Sequence, residues 1–236
     1  MKKRSIKDLL YEQVARIGKA VSSPKRLELL ELLAQGEKTV EALATELSVD
    51  IKLASAHLKA LRDARLVTSR RDGKYVIYRL TGSDVAGLWV TLRQVAEEHL
   101  LELRLALDQM VADPARLASV GREALLEQAR RGDVIVIDVR PYAEYEVAHL
   151  PFARSMPVAE IEKRLSELPT DKEIVAYCRG PFCLLSDEAV AMLGARGYRI
   201  GKILDGVSEW QAAGLPLQTS VQERIHHQQR RHPCAN

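Results

Sequence analysis

Ile51-Lys52-Leu53-Ala54-Ser55-Ala56-His57-Leu58-Lys59-Ala60-Leu61-Arg62 is the stretch on which the reading of the first half turns. Ala54, Leu58 and Leu61 recur at i, i+4 and i+7, so a helix from about Ile51 to Ala64 would turn one apolar face to a core. Lys52, Ser55, Ala56, Lys59 and Arg62 fall on another face, which is cationic and sterically small. Such a face can enter a major groove, with Lys52 and Lys59 reaching phosphates or guanine edges and Ser55 close to the bases. A merely solvated helix face would have the same composition.

The flanks decide between these readings. Upstream, Ser22-Ser23-Pro24 precedes Lys25-Arg26-Leu27-Glu28-Leu29-Leu30 as an N-cap and a proline in the first turn of a helix that Gly36 ends. Thr39 then caps a short helix to Leu47, and Ser48-Val49-Asp50 makes a tight turn into the helix quoted above: a helix-turn-helix. Downstream, Leu66-Val67-Thr68-Ser69-Arg70-Arg71, a two-residue Asp72-Gly73 turn and Lys74-Tyr75-Val76-Ile77-Tyr78-Arg79-Leu80 predict a hairpin. Arg70, Arg71 and Lys74 load its tip, as a wing that grips the DNA backbone requires.

Ser55-Ala56-His57-Leu58-Lys59, the Asp-Gly hairpin and the Ser-Ser-Pro-Lys-Arg-Leu opening together resemble the ArsR/SmtB repressor family over about residues 6–105. The resemblance places His57 beside DNA, although a His on a helix flank also suits simple packing. It implies a two-fold dimer built from the helices at about Ile6–Ala20 and Asp84–Val111. The second of these carries the apolar stripe Leu88, Leu92, Val95, Leu100, Leu103 and Leu107. Two recognition helices would then lie one DNA turn apart on a palindromic operator. Packing of these helices on the second half of the chain is the alternative. The metal-ligand sets of that family are not matched: Glu46-Leu47-Ser48-Val49-Asp50 has no thiol, and Asp84 and His99 are too few for a tetrahedral site. No metal site and no cofactor are expected.

In the second half, Asp113-Pro114 breaks the long helix, and a helical stretch to Arg130 leads into the β-branched run Val134-Ile135-Val136-Ile137-Asp138. Glu173-Ile174-Val175-Ala176-Tyr177 is a second such run, followed by a thiol, a Gly-Pro turn and a helix over Ser186–Arg196. Cys178 thus stands where loop N–H groups and a helix N-terminus both favour an anion, with Arg179 adjacent. A thiolate there can take the outer sulfur of a sulfane donor as a persulfide; a buried inert cysteine is the alternative.

Asp138-Val139-Arg140 with Glu144-Tyr145, His149-Leu150-Pro151-Phe152-Ala153, Tyr177-Cys178-Arg179-Gly180, and Leu204-Asp205-Gly206-Val207 with Trp210 and Gly214-Leu215-Pro216 resemble, in that order, the rhodanese family over about residues 118–218. The resemblance makes Cys178 the reactive centre and brings Asp138 and Arg140 into the candidate site. Rhodanese loops ordinarily read Cys-x-x-Gly-x-Arg, whereas this one reads Cys178-Arg179-Gly180-Pro181-Phe182-Cys183. Pro181 removes a donor and Cys183 stands where a substrate-binding cation is usual, which argues against efficient thiosulfate turnover. Asp205 likewise replaces a glycine. Cys183 is either a resolving thiol for Cys178 or a small apolar residue at a helix start.

Composition agrees with two soluble domains: 236 residues, 47% hydrophobic and 28% charged. The expected organisation is a mainly α winged helix-turn-helix domain, 1–112, an α/β rhodanese-like domain with an open parallel sheet, 113–220, and a disordered tail, 221–236. Residues 1–110 hold 19 Lys/Arg against 15 Asp/Glu and the rest 16 against 17, so the net +3 is N-terminal. Three cysteines suit thiol chemistry in a reduced compartment, and with no apolar run of about 18 residues and no signal-like start a cytoplasmic protein without membrane contact is expected. His226, His227, His232 and Cys234 in the tail lack a rigid scaffold for metal. These features predict a DNA-binding repressor that senses a small sulfur donor, an anion or redox state through Cys178. The alternatives are an autonomous sulfurtransferase or thiol-dependent reductase on a DNA-binding dimer, or a docking module.

Overall fold

Asp50 accepts a hydrogen bond from Leu53 N at 2.8 Å and so starts the helix Ile51–Asp63, one residue shorter than predicted. A computed structural model describes residues 3–110, 117, 118 and 120–220. It divides into two compact units, Met1–Leu92 and Arg93–Asn236. The expected break at Asp113-Pro114 and the tail from Val221 lie outside the described residues.

The first unit contains α1 (Lys3–Val21), α2 (Pro24–Ala34), β1 (Lys38–Thr39), α3 (Val40–Glu46), α4 (Ile51–Asp63), β2 (Val67–Asp72) and β3 (Tyr75–Leu80), and ends within α5 (Ser83–His99). Pro24 opens α2 as predicted, and Thr39 caps α3 by accepting from Ala42 N at 3.1 Å. Ala54, Leu58 and Leu61 of α4 are fully buried against Leu29, Leu30 and Leu33 of α2 and Leu43 of α3. Burying each leucine contributes about 1.5–3 kcal/mol, which fixes the rotation of α4 and leaves its opposite face to solvent.

Two expectations change and one strand is added. Asp72 pairs with Tyr75, so the two hairpin loop residues are Gly73 and Lys74, not Asp72 and Gly73; Gly73, at φ 57°, supplies the positive φ that a type II′ turn needs first. Lys38 and Thr39 add a third strand, in the order β1-β3-β2. The helix predicted over Asp84–Val111 is interrupted after His99 and resumes as α6 (Leu101–Met110), although Leu100 N still bonds to Ala96 O and Arg104 N to Leu100 O.

The second unit holds α7 (Arg122–Arg131), β4 (Val134–Asp138), α8 (Tyr142–Val147), β5 (Arg154–Ser155), two 3-10 turns at Val158–Lys163 and Leu165–Glu167, β6 (Glu173–Tyr177), α9 (Leu185–Gly194), β7 (Ile200–Lys202) and α10 (Val207–Ala212). Its four strands are parallel in the order β5-β4-β6-β7. All five residues of β4 are buried, because both faces are covered: Ile135 and Ile137 meet Ala189 and Leu193 of α9 in one core, while Val134 and Val136 share another with Leu125 of α7 and Trp210 of α10. The C-terminal ends of β4 and β6 are therefore neighbours, and Cys178 follows the latter.

Candidate functional site

Cys178 is 2% exposed, and the residues after it curl over its sulfur. Its Sγ lies 3.3 Å from Ser186 Oγ in the first turn of α9 and 3.3 Å from the carbonyl of Cys183. The thiol is held down at about 6: first by a hydrogen bond from the Cys183 thiol, against the opposing effect of burial, and then by Ser186 Oγ–H and the N–H groups of Gly180 and Ser186. The partner thiol is pushed in the other direction by that same bond and by burial. The bond between them thus favours ionisation of Cys178 over Cys183. Sequence reasoning identified both cysteines and the helix N-terminus but missed Ser186, although a hydroxyl in the first turn after a thiol loop is a recognisable anion donor.

The loop is supported from below. A Cβ on Gly206 would lie 2.4 Å from the carbonyl oxygen of Arg179 and 2.6 Å from that of Cys178, so only glycine permits this approach. Glu209 Oε2 accepts from Gly206 N at 2.8 Å, and its carboxylate lies directly beneath Gly180. Asp205, the departure from the rhodanese pattern, accepts two bonds from Arg122 at 2.6 and 2.9 Å.

Arg179 forms a bidentate pair with buried Glu144, Nε to Oε2 at 2.9 Å and Nη2 to Oε1 at 2.5 Å. Asp138 and Arg140 are both fully buried and bonded to each other, with Arg140 Nη2 also donating to Ala148 O at 2.8 Å. Tyr177 donates to Asp138 Oδ2 at 2.6 Å and receives Leu150 N at 3.1 Å, which ties the ends of β4 and β6 together one residue before the thiol. The structure therefore brings Cys178 and Cys183 together, pairs Asp138 with Arg140 and the Tyr177 hydroxyl, and pairs Arg179 with Glu144.

In the first unit, Lys52, Ser55, Ala56, Lys59 and Arg62 are exposed on the face of α4 opposite its buried residues, and His57 is half-buried at the edge. Arg71 and Lys74 are exposed at the hairpin. Two of the predicted cations carry acidic partners that sequence reasoning did not foresee: Lys59 with Asp63 at 2.7 Å, and Arg70 with Glu37 at 2.5 Å and Asp72 at 3.2 Å.

The bacterial regulatory protein, arsR family, matches residues 23–69, and the rhodanese-like domain matches residues 122–213. An HTH-type transcriptional regulator of Mycobacterium tuberculosis is 42% identical over 211 residues, which cover 89% of this chain and 92% of that protein. The chain is an ArsR-family transcriptional regulator with a C-terminal rhodanese-like domain. A homodimeric winged helix-turn-helix DNA-binding domain from Mycobacterium bovis is 44% identical to the regulator, with a TM-score of 0.39, over 43% of this chain and 92% of that one. A sulfurtransferase of Allochromatium vinosum is 36% identical over 86 residues, 36% of the regulator and 78% of that protein. Among the described residues of the regulator, no helix is long and apolar enough to cross a membrane.

Proposed function

We propose that the regulator is a cytoplasmic, homodimeric repressor that holds a palindromic operator through α4 and the hairpin of each protomer, and that sulfur loading or oxidation at Cys178 changes this hold. The observation that carries the sensing reading is the setting of Cys178, 2% exposed, with its sulfur 3.3 Å from the Ser186 hydroxyl in the first turn of α9 and its thiol lowered by the Cys183 neighbour. That lowering favours the thiolate, the form that attacks sulfane sulfur. Once Cys178 carries a persulfide, Cys183 can attack the Cys178 sulfur: the Cys178–Cys183 bond forms, the outer sulfur leaves as hydrogen sulfide with the two thiol protons, and no other oxidant is required.

Dimerisation is supported by the apolar residues that α1, α5 and α6 leave in solvent, among them Leu10, Tyr11, Val14, Leu101 and Leu105. The Mycobacterium bovis relative is homodimeric. The test is fluorescence anisotropy of a promoter fragment with wild type and Cys178→Ser, each with and without polysulfide. A polysulfide-dependent shift in wild type alone is expected; the same affinity in all four states sinks the reading.

A second reading, an autonomous sulfurtransferase carried on a DNA-bound dimer, is favoured by the likeness to the Allochromatium sulfurtransferase. Steady-state turnover above ~1 s⁻¹ would select it, whereas a single-turnover burst suits a sensor.

A further inference from the structure

Taking Cys178 as a sulfur acceptor leaves the donor open, and the charges around its loop narrow the choice. Arg179, the one cation between Cys178 and Ser186, is bound through Nε and Nη2 to both oxygens of Glu144. Beneath the loop, the Glu209 carboxylate faces Gly180 and occupies Arg93. Lys202, beside the first turn of α9, is bound to both oxygens of Asp187. Pro181 contributes no N–H, and Cys183 occupies the position of a side-chain cation in the rhodanese pattern. What surrounds the sulfur is neutral: a thiol, a hydroxyl and two backbone N–H groups, with the carbonyls of Gly180 and Cys183 at 3.7 and 3.3 Å. The loop surface is apolar, with Leu184 57% exposed and Phe182 partly so.

A thiosulfate dianion approaching this thiolate would add two negative charges at a site whose nearby cations are already paired, and would have to shed its water to reach a sulfur only 2% exposed. An organic hydropersulfide brings one charge or none, and its apolar carbon chain suits Phe182 and Leu184. We propose that Cys178 takes its sulfur from a neutral or singly charged organic hydropersulfide and discriminates against sulfur oxyanions, because the thiol lies beneath a loop whose one cation is held by Glu144. This rests on the acceptor role proposed above. The Cys178 thiolate attacks the outer sulfur of R–S–SH; the new S–S bond forms as the old one breaks, the electron pair leaves on R–S⁻, and the proton stays on the transferred sulfur as Cys178–S–SH. Sulfur and electrons balance without a further reagent.

The test follows, by mass spectrometry of the full-length protein, the sulfur atom added to Cys178 together with the Cys178–Cys183 disulfide that it resolves into, with Cys178→Ser as the blank. Three donors are compared: the hydropersulfide of β-mercaptoethanol, that of mercaptopropionate with its added carboxylate, and thiosulfate. The neutral hydropersulfide is expected to be fastest and thiosulfate slower by at least about tenfold, with the carboxylate donor between them. Cys183→Arg, which restores a cation to the loop, is expected to raise the ratio of thiosulfate to neutral-donor rates by at least about tenfold. Equal rates for all three donors on wild type overturn the donor assignment while leaving Cys178 an acceptor. Finding neither added sulfur nor a Cys178–Cys183 disulfide with any donor overturns both.

Discussion

Arg93 donates from Nη2 to Oε1 of Glu209 at 3.0 Å, with only 4% and 3% of the two side chains exposed. Both lie in the second unit, and through Gly206 N the same carboxylate supports the turn beneath the Cys178 loop. Burial raises the Glu209 carboxyl above its ordinary value, while Arg93 opposes that rise and Asp205, itself held by Arg122, adds to it.

Removing the cation alone, with Arg93→Met, strands a buried carboxylate and is expected to destabilise this unit by about 3–5 kcal/mol. Because the folded carboxyl is already raised, the native state binds its proton more tightly than the unfolded chain does. Stability contributed by this group is therefore present below the ordinary carboxylate range and lost as pH rises through the raised folded value. Arg93→Met widens that window upward, so its deficit against wild type should be larger at neutral than at acidic pH in denaturant titrations. Adding Glu209→Gln to Arg93→Met should recover part of the loss; an equal deficit at both pH values contradicts the ion-pair account.

The thiolate at Cys178 should appear in an ultraviolet pH titration, taken as the difference between wild type and Cys178→Ser, with a midpoint near 6. Cys183→Ala removes the first-named stabiliser and should move the midpoint up; Ser186→Ala should do so to a smaller extent. A lowered folded value also means that this group contributes stability above the ordinary thiol range, which is lost as pH falls through about 6. A midpoint that Cys183→Ala leaves in place would remove Cys183 from the account.

On the DNA side, Lys52→Ala and Arg71→Ala should each weaken operator binding and reduce the salt slope by about one, since each removes a proposed phosphate contact. Glu37→Gln releases Arg70 from its shortest partner and should tighten binding, with little change in stability because the pair is exposed. Leu58→Ala, by contrast, should cost about 2–5 kcal/mol in denaturant unfolding, because that side chain is fully buried. If Glu37→Gln binds no more tightly than wild type across a salt series, Arg70 is not a DNA contact.

Much of this was legible before the fold was seen. The buried set Ala54, Leu58 and Leu61, the cap at Thr39 and the two β-branched runs before Asp138 and Cys178 are local patterns, and helical or strand periodicity with capping chemistry specifies them within a few residues. The hairpin was legible but its turn was not, because one residue of register decides whether Asp72 or Lys74 occupies the tip, and cross-strand pairing with Tyr75 settles that.

What the sequence by itself determined is which groups carry the chemistry: a cationic helix face, a cationic hairpin and a thiol at a strand end. Only the tertiary structure decided which of those charges already have partners. Arg179 with Glu144, Arg70 with Glu37 and Arg93 with Glu209 join residues 35, 33 and 116 positions apart. Periodicity and capping act within a few residues of the chain, whereas Coulomb attraction and burial act through space, so these partners emerge only when the chain has folded.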